Sequence, residues 1–471
     1  MAIDINSIPN KYTSTYVDKV EDFLLIYSPL SEEGVTVLNK EALWLFQQID
    51  NKKSLGQILK LAQKKDSSVT FSTIKKILEQ FINSEIIYFD SPKTEKDLLD
   101  KKPTQLGVWL HLTNQCNLRC TYCYVYKTPE KMSLKTAKIA LTKIITSAKL
   151  HGFKKISIKF SGGECLLELD NLLKIVEFAR NFAEKIKIKI EFAVLTNGIL
   201  INDSVAKKLK EFNIQASVSL DGLGKFHNKQ RIFPSGKGSF NFVERGIEML
   251  RKHGIIFNVS ITITENNVAN LPELTQYLLD KNIPFVFNFF RENPHVSEKL
   301  ESDDKKLVKY IKIAYGLIGD RPPRYSLING LLDRVFFTKP HIHTCGMGQN
   351  YIVVRHDGKI ASCQMTLAKP IGSIEDKDVI NTMKAGNFIR PRGLNVFGKS
   401  PCKDCQWKYI CCGSCPLLTF SQKGKYNLNS PYCAVYKALI PEALKVEARR
   451  LIKYGCKNFN SPTNDSLDLL N

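Results

Sequence analysis

Residues 107–124 read GVWLHLTNQCNLRCTYCY. The first seven, GVWLHLT, have the apolar and β-branched character of a strand, and they lead within three residues to Cys116, Cys120 and Cys123 in a CxxxCxxC loop. Iron–sulfur clusters are held by cysteine thiolates, normally four to a cubane, so three closely spaced thiolates leave one iron open to an external ligand. Zinc, or reduced bystander thiols, would fit the spacing equally well. Position argues for the cluster, because reactive groups of parallel β/α architectures collect at the C-terminal ends of strands.

Outward from this loop the pattern alternates. Strands are expected at 107–113, 155–161, 191–197, 215–221, 257–264 and 285–290, with amphipathic helices such as 134–150, 169–186 and 240–254 between them. Such alternation makes a parallel sheet with right-handed crossovers, and six units make an incomplete barrel, a partial (β/α)6 TIM-type domain over 107–335. Toward the N-terminus, FLLIYS (23–28) and GVTVLN (34–39) read as strands, with helices at 40–50, 54–64 and 71–83 and a closing strand IIYFD (86–90). Ser54 is the expected N-cap of the second helix, and Ala42, Leu45, Phe46 and Ile49 stand at core-facing spacing in the first. This is the outline of a winged helix-turn-helix over 1–92, tied to the barrel by a linker, 93–106, that shares the charged stretch SPKTEKDLLDKKPTQ (91–105).

Toward the C-terminus a cysteine-rich domain is expected over 336–440, with a hairpin around Asp357-Gly358, and then a helix from Pro441 to Gly455 and a polar tail within 441–471. The chain has 13 cysteines, none before Cys116, and shows neither an apolar run of about 18 residues nor a signal-like start. A cytoplasmic, membrane-free protein is expected, in which thiols serve clusters or metals rather than disulfides. The formal charge is +22, yet residues 1–92 carry 10 lysines, no arginine and 12 acidic residues, a net of −2 that leaves +24 on the rest. A phosphate-binding face needs excess cations, so no nucleic-acid partner is expected of the front unit.

The motifs along the barrel resemble the radical S-adenosylmethionine (SAM) superfamily. In that resemblance Cys116, Cys120 and Cys123 are the catalytic cluster ligands and Tyr122 is the aromatic beside the adenine. Gly162-Gly163-Glu164 is similar to the family's GGE motif, whose glycines let the backbone approach SAM's methionine group and whose carboxylate helps hold it. Asn197 in Thr-Asn-Gly, Ser219 and Asp221 in Ser-Leu-Asp-Gly, and Arg231 are the further implied SAM contacts. The implied chemistry is reductive cleavage of SAM and abstraction of a hydrogen atom from a C–H bond.

Cys345-x12-Gly358-x4-Cys363, Cys402-x2-Cys405-x5-Cys411-x3-Cys415 and Cys433 resemble the SPASM pattern of peptide-modifying members. A zinc knuckle is the rival, though seven cysteines exceed one tetrahedral site. The resemblance implies three 4Fe-4S clusters in all: the SAM-binding one, an auxiliary one on Cys402, Cys405, Cys411 and Cys433, and another on Cys345, Cys363 and Cys415 with an open iron, because GMGQNY after Cys345 has no further cysteine. Cys165 and Cys412 are read as packing residues, and Cys456 stands near the end of the last helix.

The front unit resembles the RiPP recognition element, a PqqD-like winged helix that captures the leader of a ribosomally made precursor peptide. The features that carry this are its strand pair, VLNKEALWLFQQIDNKKSLGQI and IIYFD. The expected function is therefore maturation of a precursor peptide through a thioether or carbon–carbon crosslink, with flavodoxin or ferredoxin as electron donor. Sulfatase-maturase-like oxidation is disfavoured by Gln364, which stands where those enzymes have an aspartate base. Backbone excision, epimerisation and a DNA-binding redox sensor are the other readings.

Overall fold

The computed structural model describes residues 3–99, 102–296, 299–385 and 395–455. Cys456 and most of the polar tail lie outside them.

The front unit is a three-stranded antiparallel sheet, β2 (Tyr16–Val20), β3 (Phe23–Tyr27) and β4 (Val35–Leu38), followed by α1 (Lys40–Gln48), α2 (Leu55–Gln63) and α3 (Phe71–Asn83). Ser54 does cap α2: its hydroxyl accepts from Gln57 N–H and the Gln57 side chain accepts from Ser54 N–H, a reciprocal capping box. Leu45 and Ile49 are buried in the core of the three helices, with Ala42 and Phe46 packed against it. The expected closing strand is present as β5 (Ile87–Tyr88), paired with β1 (Asn10–Lys11). Strand β2 was not expected at all, because an acidic residue interrupts its inner face: Asp18 accepts from the Tyr16 hydroxyl at 2.7 Å and pairs with Lys445 at 3.1 Å.

That pair is one of several contacts between the sheet and the C-terminal part of the chain. Val20, Leu25, Tyr27 and Val35 belong to the same hydrophobic core as the barrel, the Tyr16 and Trp407 rings lie 5.2 Å apart, and the buried Tyr27 hydroxyl donates to the Phe337 carbonyl at 2.9 Å. Tyr27→Phe should leave that carbonyl without its donor and cost about 1–3 kcal/mol of stability, read by denaturant titration.

A short helix, α4 (Glu95–Leu99), interrupts the linker. The six parallel strands then appear nearly where the sequence put them: β6 (Gln105–Thr113), β7 (Lys155–Gly162), β8 (Lys189–Thr196), β9 (Ile214–Ser219), β10 (Phe257–Ile263) and β11 (Phe285–Phe289). Between them run α5 (Leu134–Leu150), α6 (Leu169–Ile186), α7 (Asp203–Glu211), α8 (Lys225–Asn228), α9 (Phe240–Lys252) and α10 (Leu271–Asp280). Trp109, Lys159, Leu195, Ser217, Ser260 and Asn288, one from each strand, line a single cavity, so the sheet curls around it as an open barrel.

The sheet does not stop at residue 335. Strand β12 (Tyr351–Val354) adds in parallel to the free side of β6, and β13 (Lys359–Ala361) and β14 (Gly372–Ser373) continue it antiparallel, β12 and β13 forming the expected hairpin. The cysteine-rich segment is thereby built onto the strand that precedes the CxxxCxxC loop. Helix α11 (Asp304–Asp320) follows the barrel, and α12 (Val379–Ala385), α13 (Lys408–Cys411) and α14 (Pro416–Lys423) are short. The last helix, α15, begins at Cys433 rather than at Pro441 and runs to Tyr454. Pro441 removes one backbone donor inside it, and the buried row Val435, Tyr436, Leu439, Ile440, Ala443 and Leu444 offsets that loss.

Two buried histidines make stability depend on acid. Burial holds His111 to about 4 and His227 to about 3, both below the ordinary value of 6.5. The unfolded chain then binds protons that the folded chain refuses, so stability should fall as pH drops from about 6.5 toward 4. Urea midpoints between pH 7.5 and pH 4 read this directly.

Candidate functional site

The cysteine loop sits over the C-terminal ends of the strands, in the cavity of about 370 Å³ enclosed by the barrel. Its backbone is pinned from the far side of the barrel, Arg119 N–H donating to the Ile232 carbonyl at 2.7 Å and Thr121 N–H to that of Gln230 at 2.9 Å. Each thiol meets a donor. Lys127 Nζ lies 3.0 Å from Cys123 Sγ, Arg231 Nη1 3.9 Å from Cys120 Sγ, and Cys116 Sγ accepts from Leu118 N–H at 3.4 Å, with Asn197 Nδ2 at 3.9 Å. Burial pushes the Cys120 thiol up to about 12 against the pull of Arg231, and pushes Cys116 up as well. Such donors are what three buried thiolates require.

The GGE segment packs backbone to backbone against this loop. Gly163 N–H donates to the Thr113 carbonyl at 2.7 Å and Glu164 N–H to that of Gln115 at 2.8 Å. A Cβ on Gly162, whose φ is +136°, would stand 2.2 Å from the Thr113 oxygen, and one on Gly163 2.0 Å from the Gln115 oxygen. The close approach that demands glycine here is thus to the strand end and loop preceding Cys116.

Of the expected SAM contacts, Tyr122, Gly162, Gly163, Asn197, Ser219 and Arg231 line the cavity. Glu164 and Asp221 are fully buried with their carboxylates engaged by the protein itself. Glu164 accepts from Thr196 Oγ1 and Asn197 N–H, both at 2.8 Å, and from Leu166 N–H at 3.1 Å, so it clamps the Thr-Asn-Gly turn. Burial raises its carboxyl above the usual range. Asp221 accepts from the Tyr122 hydroxyl at 2.6 Å, Arg231 Nε at 2.5 Å and Thr262 N–H at 2.8 Å, while the Arg231 guanidinium lies 5.3 Å from the Tyr122 ring. Both carboxylates orient cavity-lining residues in this arrangement.

The distal cysteines separate into two sets. Cys402, Cys405, Cys411 and Cys433 line a second cavity of about 270 Å³. Cys363 and Cys415 line the first cavity, across from the CxxxCxxC loop, and the buried Cys345 thiol is within electrostatic reach of both. These are the groupings expected from the sequence. Among the described residues no three Cys, His, Asp or Glu side chains converge as on one metal ion. An iron–sulfur cubane interposes its own irons and sulfides between the thiolates, so thiols spread around a cavity fit it better than they fit zinc. Cys412 turns from the cavity through a left-handed backbone, φ 49°, to place its thiol at the His341 and Lys408 carbonyls, and Cys165 is buried against the Leu195 carbonyl.

Sequence reading found Arg231 but missed the other cations of the site. Lys127 is four residues past Cys123 in a lysine-rich chain and gives no signal there. Arg291 and Arg334, which line the first cavity with Asp333, were detectable only in part: Arg291 follows strand β11, in the position where the earlier strands carry their motifs.

Residues 110–278 match the family model of the radical SAM superfamily. This segment is a radical SAM domain. A cysteine-type anaerobic sulfatase-maturating enzyme of Clostridium perfringens is 28% identical over 68% of this chain and 91% of its own length. The radical SAM cyclopropyl synthase TigE of Paramaledivibacter caminithermalis is 20% identical over 94% of this chain and 97% of its own. The antilisterial bacteriocin subtilosin biosynthesis protein AlbA of Bacillus subtilis is 24% identical over 73% and 75%. The solved structure of native anSMEcpe with bound AdoMet shares the fold, with a TM-score of 0.61 and 23% identity, covering 74% of this chain and all of that one. The radical SAM match thus spans the barrel, and none of the helices among the described residues of the chain is long and apolar enough to cross a membrane.

Proposed function

We propose that this radical SAM enzyme matures a ribosomally made precursor peptide, joining two of its groups through a thioether or a carbon–carbon bond. One observation carries the reading: the cavity of the radical SAM domain is closed on its far side by Cys363 and Cys415, so a substrate residue held there lies between two thiol-lined walls. Cys116, Cys120 and Cys123 would hold a 4Fe-4S cluster with SAM beside it, which would supply the reductive radical chemistry that removes a hydrogen atom from the substrate.

The residues divide the remaining work. Lys127, Asn197 and Arg231 compensate the thiolates, Tyr122 and Ser219 offer the nucleoside an aromatic face and a hydroxyl, and the glycines 162 and 163 fix the loop. Both products lose two hydrogen atoms overall, so an electron acceptor is needed beside the substrate, and the two distal cysteine sets would supply it as 4Fe-4S auxiliary clusters. A flavodoxin or ferredoxin would donate the first electron.

The front unit would bind the leader. Neither β2 nor β4 has a second strand partner among the described residues, and an extended peptide added at such an edge gains backbone hydrogen bonds. Its net charge of −2 suits a peptide better than DNA. A sulfatase-maturase-like reaction lacks its base: Gln364 Oε1 accepts from the Tyr351 hydroxyl at 2.9 Å, and a carboxamide takes up no proton.

The experiment is anaerobic loading with iron and sulfide, followed by SAM and dithionite. About twelve irons per chain and release of 5′-deoxyadenosine are expected, three cubanes' worth. Four irons, or a specific gel shift with DNA in place of SAM cleavage, would refute the reading.

A further inference from the structure

A lysine is buried between the two distal cysteine sets. Lys399 is 3% exposed, and its ammonium donates to the Cys412 carbonyl at 2.7 Å and the Thr344 hydroxyl at 3.5 Å. Cys412 follows Cys411 and Thr344 precedes Cys345, so the ammonium is anchored one residue away from a thiol of each set. A Cβ placed on Gly413 would stand 3.1 Å from Cys402 Sγ and 3.4 Å from Lys399 Nζ, which puts ammonium and thiol on the same side of that glycine. Both hydrogen-bond partners are neutral oxygens.

Two more cations stand at the set that faces the radical SAM cavity. Arg291 pairs with Asp333 at 2.7 Å and hydrogen-bonds the Cys415 thiol. Arg334 reaches Cys415 and Cys345 electrostatically from a left-handed backbone, φ 59°, a conformation unfavourable for a residue with a Cβ. Asp333, 3.8 Å from Arg334 Nε, is the carboxylate these two arginines share. Lys399 is buried against neutral partners, and the half-buried Arg291 and Arg334 share the single carboxylate of Asp333, so these cations need further negative charge nearby, because an uncompensated buried charge is strongly destabilising. Thiolates at Cys345 and Cys415, which these cations reach electrostatically, would supply it.

We infer that Lys399, together with Arg291 and Arg334, sets the distal cysteine sites to accept the electron that the substrate gives up. The inference rests on the proposed auxiliary clusters. In the balanced step, the hydrogen atom leaves with 5′-deoxyadenosine, and the substrate radical bonds to a second group of the peptide. That group releases a proton to solvent, and the surplus electron reduces an auxiliary cluster by one. Reduction adds one negative charge, which a buried cation favours most where the dielectric is low.

The test is an EPR-monitored redox titration of the full chain loaded with iron and sulfide, in a C116A/C120A/C123A background that isolates the auxiliary signals. Lys399→Met should shift an auxiliary midpoint to more negative potential, and Lys399→Arg, which keeps the charge, should restore it. An unchanged midpoint in Lys399→Met at full iron content overturns the inference while the clusters stand. Should Lys399→Met not load, Arg334→Met is titrated with the same two outcomes. A triple-cysteine background that binds no iron overturns the auxiliary clusters themselves, and the inference with them.

Discussion

Gly163→Ala should lower SAM cleavage by about a hundredfold or more, since a misplacement of about 1 Å is enough for a loss of that size. The added Cβ would stand 2.0 Å from the Gln115 oxygen and 2.6 Å from its carbonyl carbon, and backbone cannot swing aside as a flexible side chain can. The Cys116 end of the loop must therefore move away from the GGE segment, and with it the iron that is to meet SAM. Gly162→Ala adds a second cost, because φ of +136° is closed to alanine. The readout is the rate of 5′-deoxyadenosine release with dithionite, normalised to bound iron. The control is Gly152→Ala: its Cβ would meet nothing within 4 Å, and although its own φ of +78° makes the change mildly destabilising, it lies far along the chain at the end of α5 and should leave the rate per iron unchanged.

Asp221→Ala should cost about 3–5 kcal/mol of stability, the range for leaving one partner of a buried ion pair alone. Arg231 is 9% exposed on its side chain and would keep its charge against the Tyr122 ring without its hydrogen-bonded carboxylate. The Tyr122 hydroxyl and Thr262 N–H would lose their acceptor at the same time. Asp221→Ala with Arg231→Met should recover part of that loss, because the stranded charge is removed along with its partner, and comparison of urea midpoints for the single and double variants measures the coupling. SAM cleavage should stay low in both, since Arg231 also faces the Cys120 thiol.

The six barrel strands were legible because each carries a run of apolar residues ended by a polar motif, and a strand covered on both faces reads that way. The expected front helices agree closely for the same reason of periodicity, and Ser54 announced its cap. Strand β2 was hidden by Asp18, whose partner Lys445 lies more than four hundred residues away. The addition of β12 to β6 was equally illegible, since register between distant strands leaves no local trace. At the site, residue types were readable and directions were not. Glu164 and Asp221 were expected as SAM contacts, and what the sequence did not show is that each carboxylate also orients cavity-lining residues. Lys399 is one among 68 basic residues, and burial alone sets it apart.

The most direct test of the account is the mass of the peptide. The loaded enzyme is incubated anaerobically with SAM, dithionite and the short peptides encoded beside its gene, each with its leader intact. The expected result is one peptide lighter by two hydrogen atoms, formed together with 5′-deoxyadenosine and lost when the leader is removed. Release of 5′-deoxyadenosine with every such peptide unchanged in mass would contradict it.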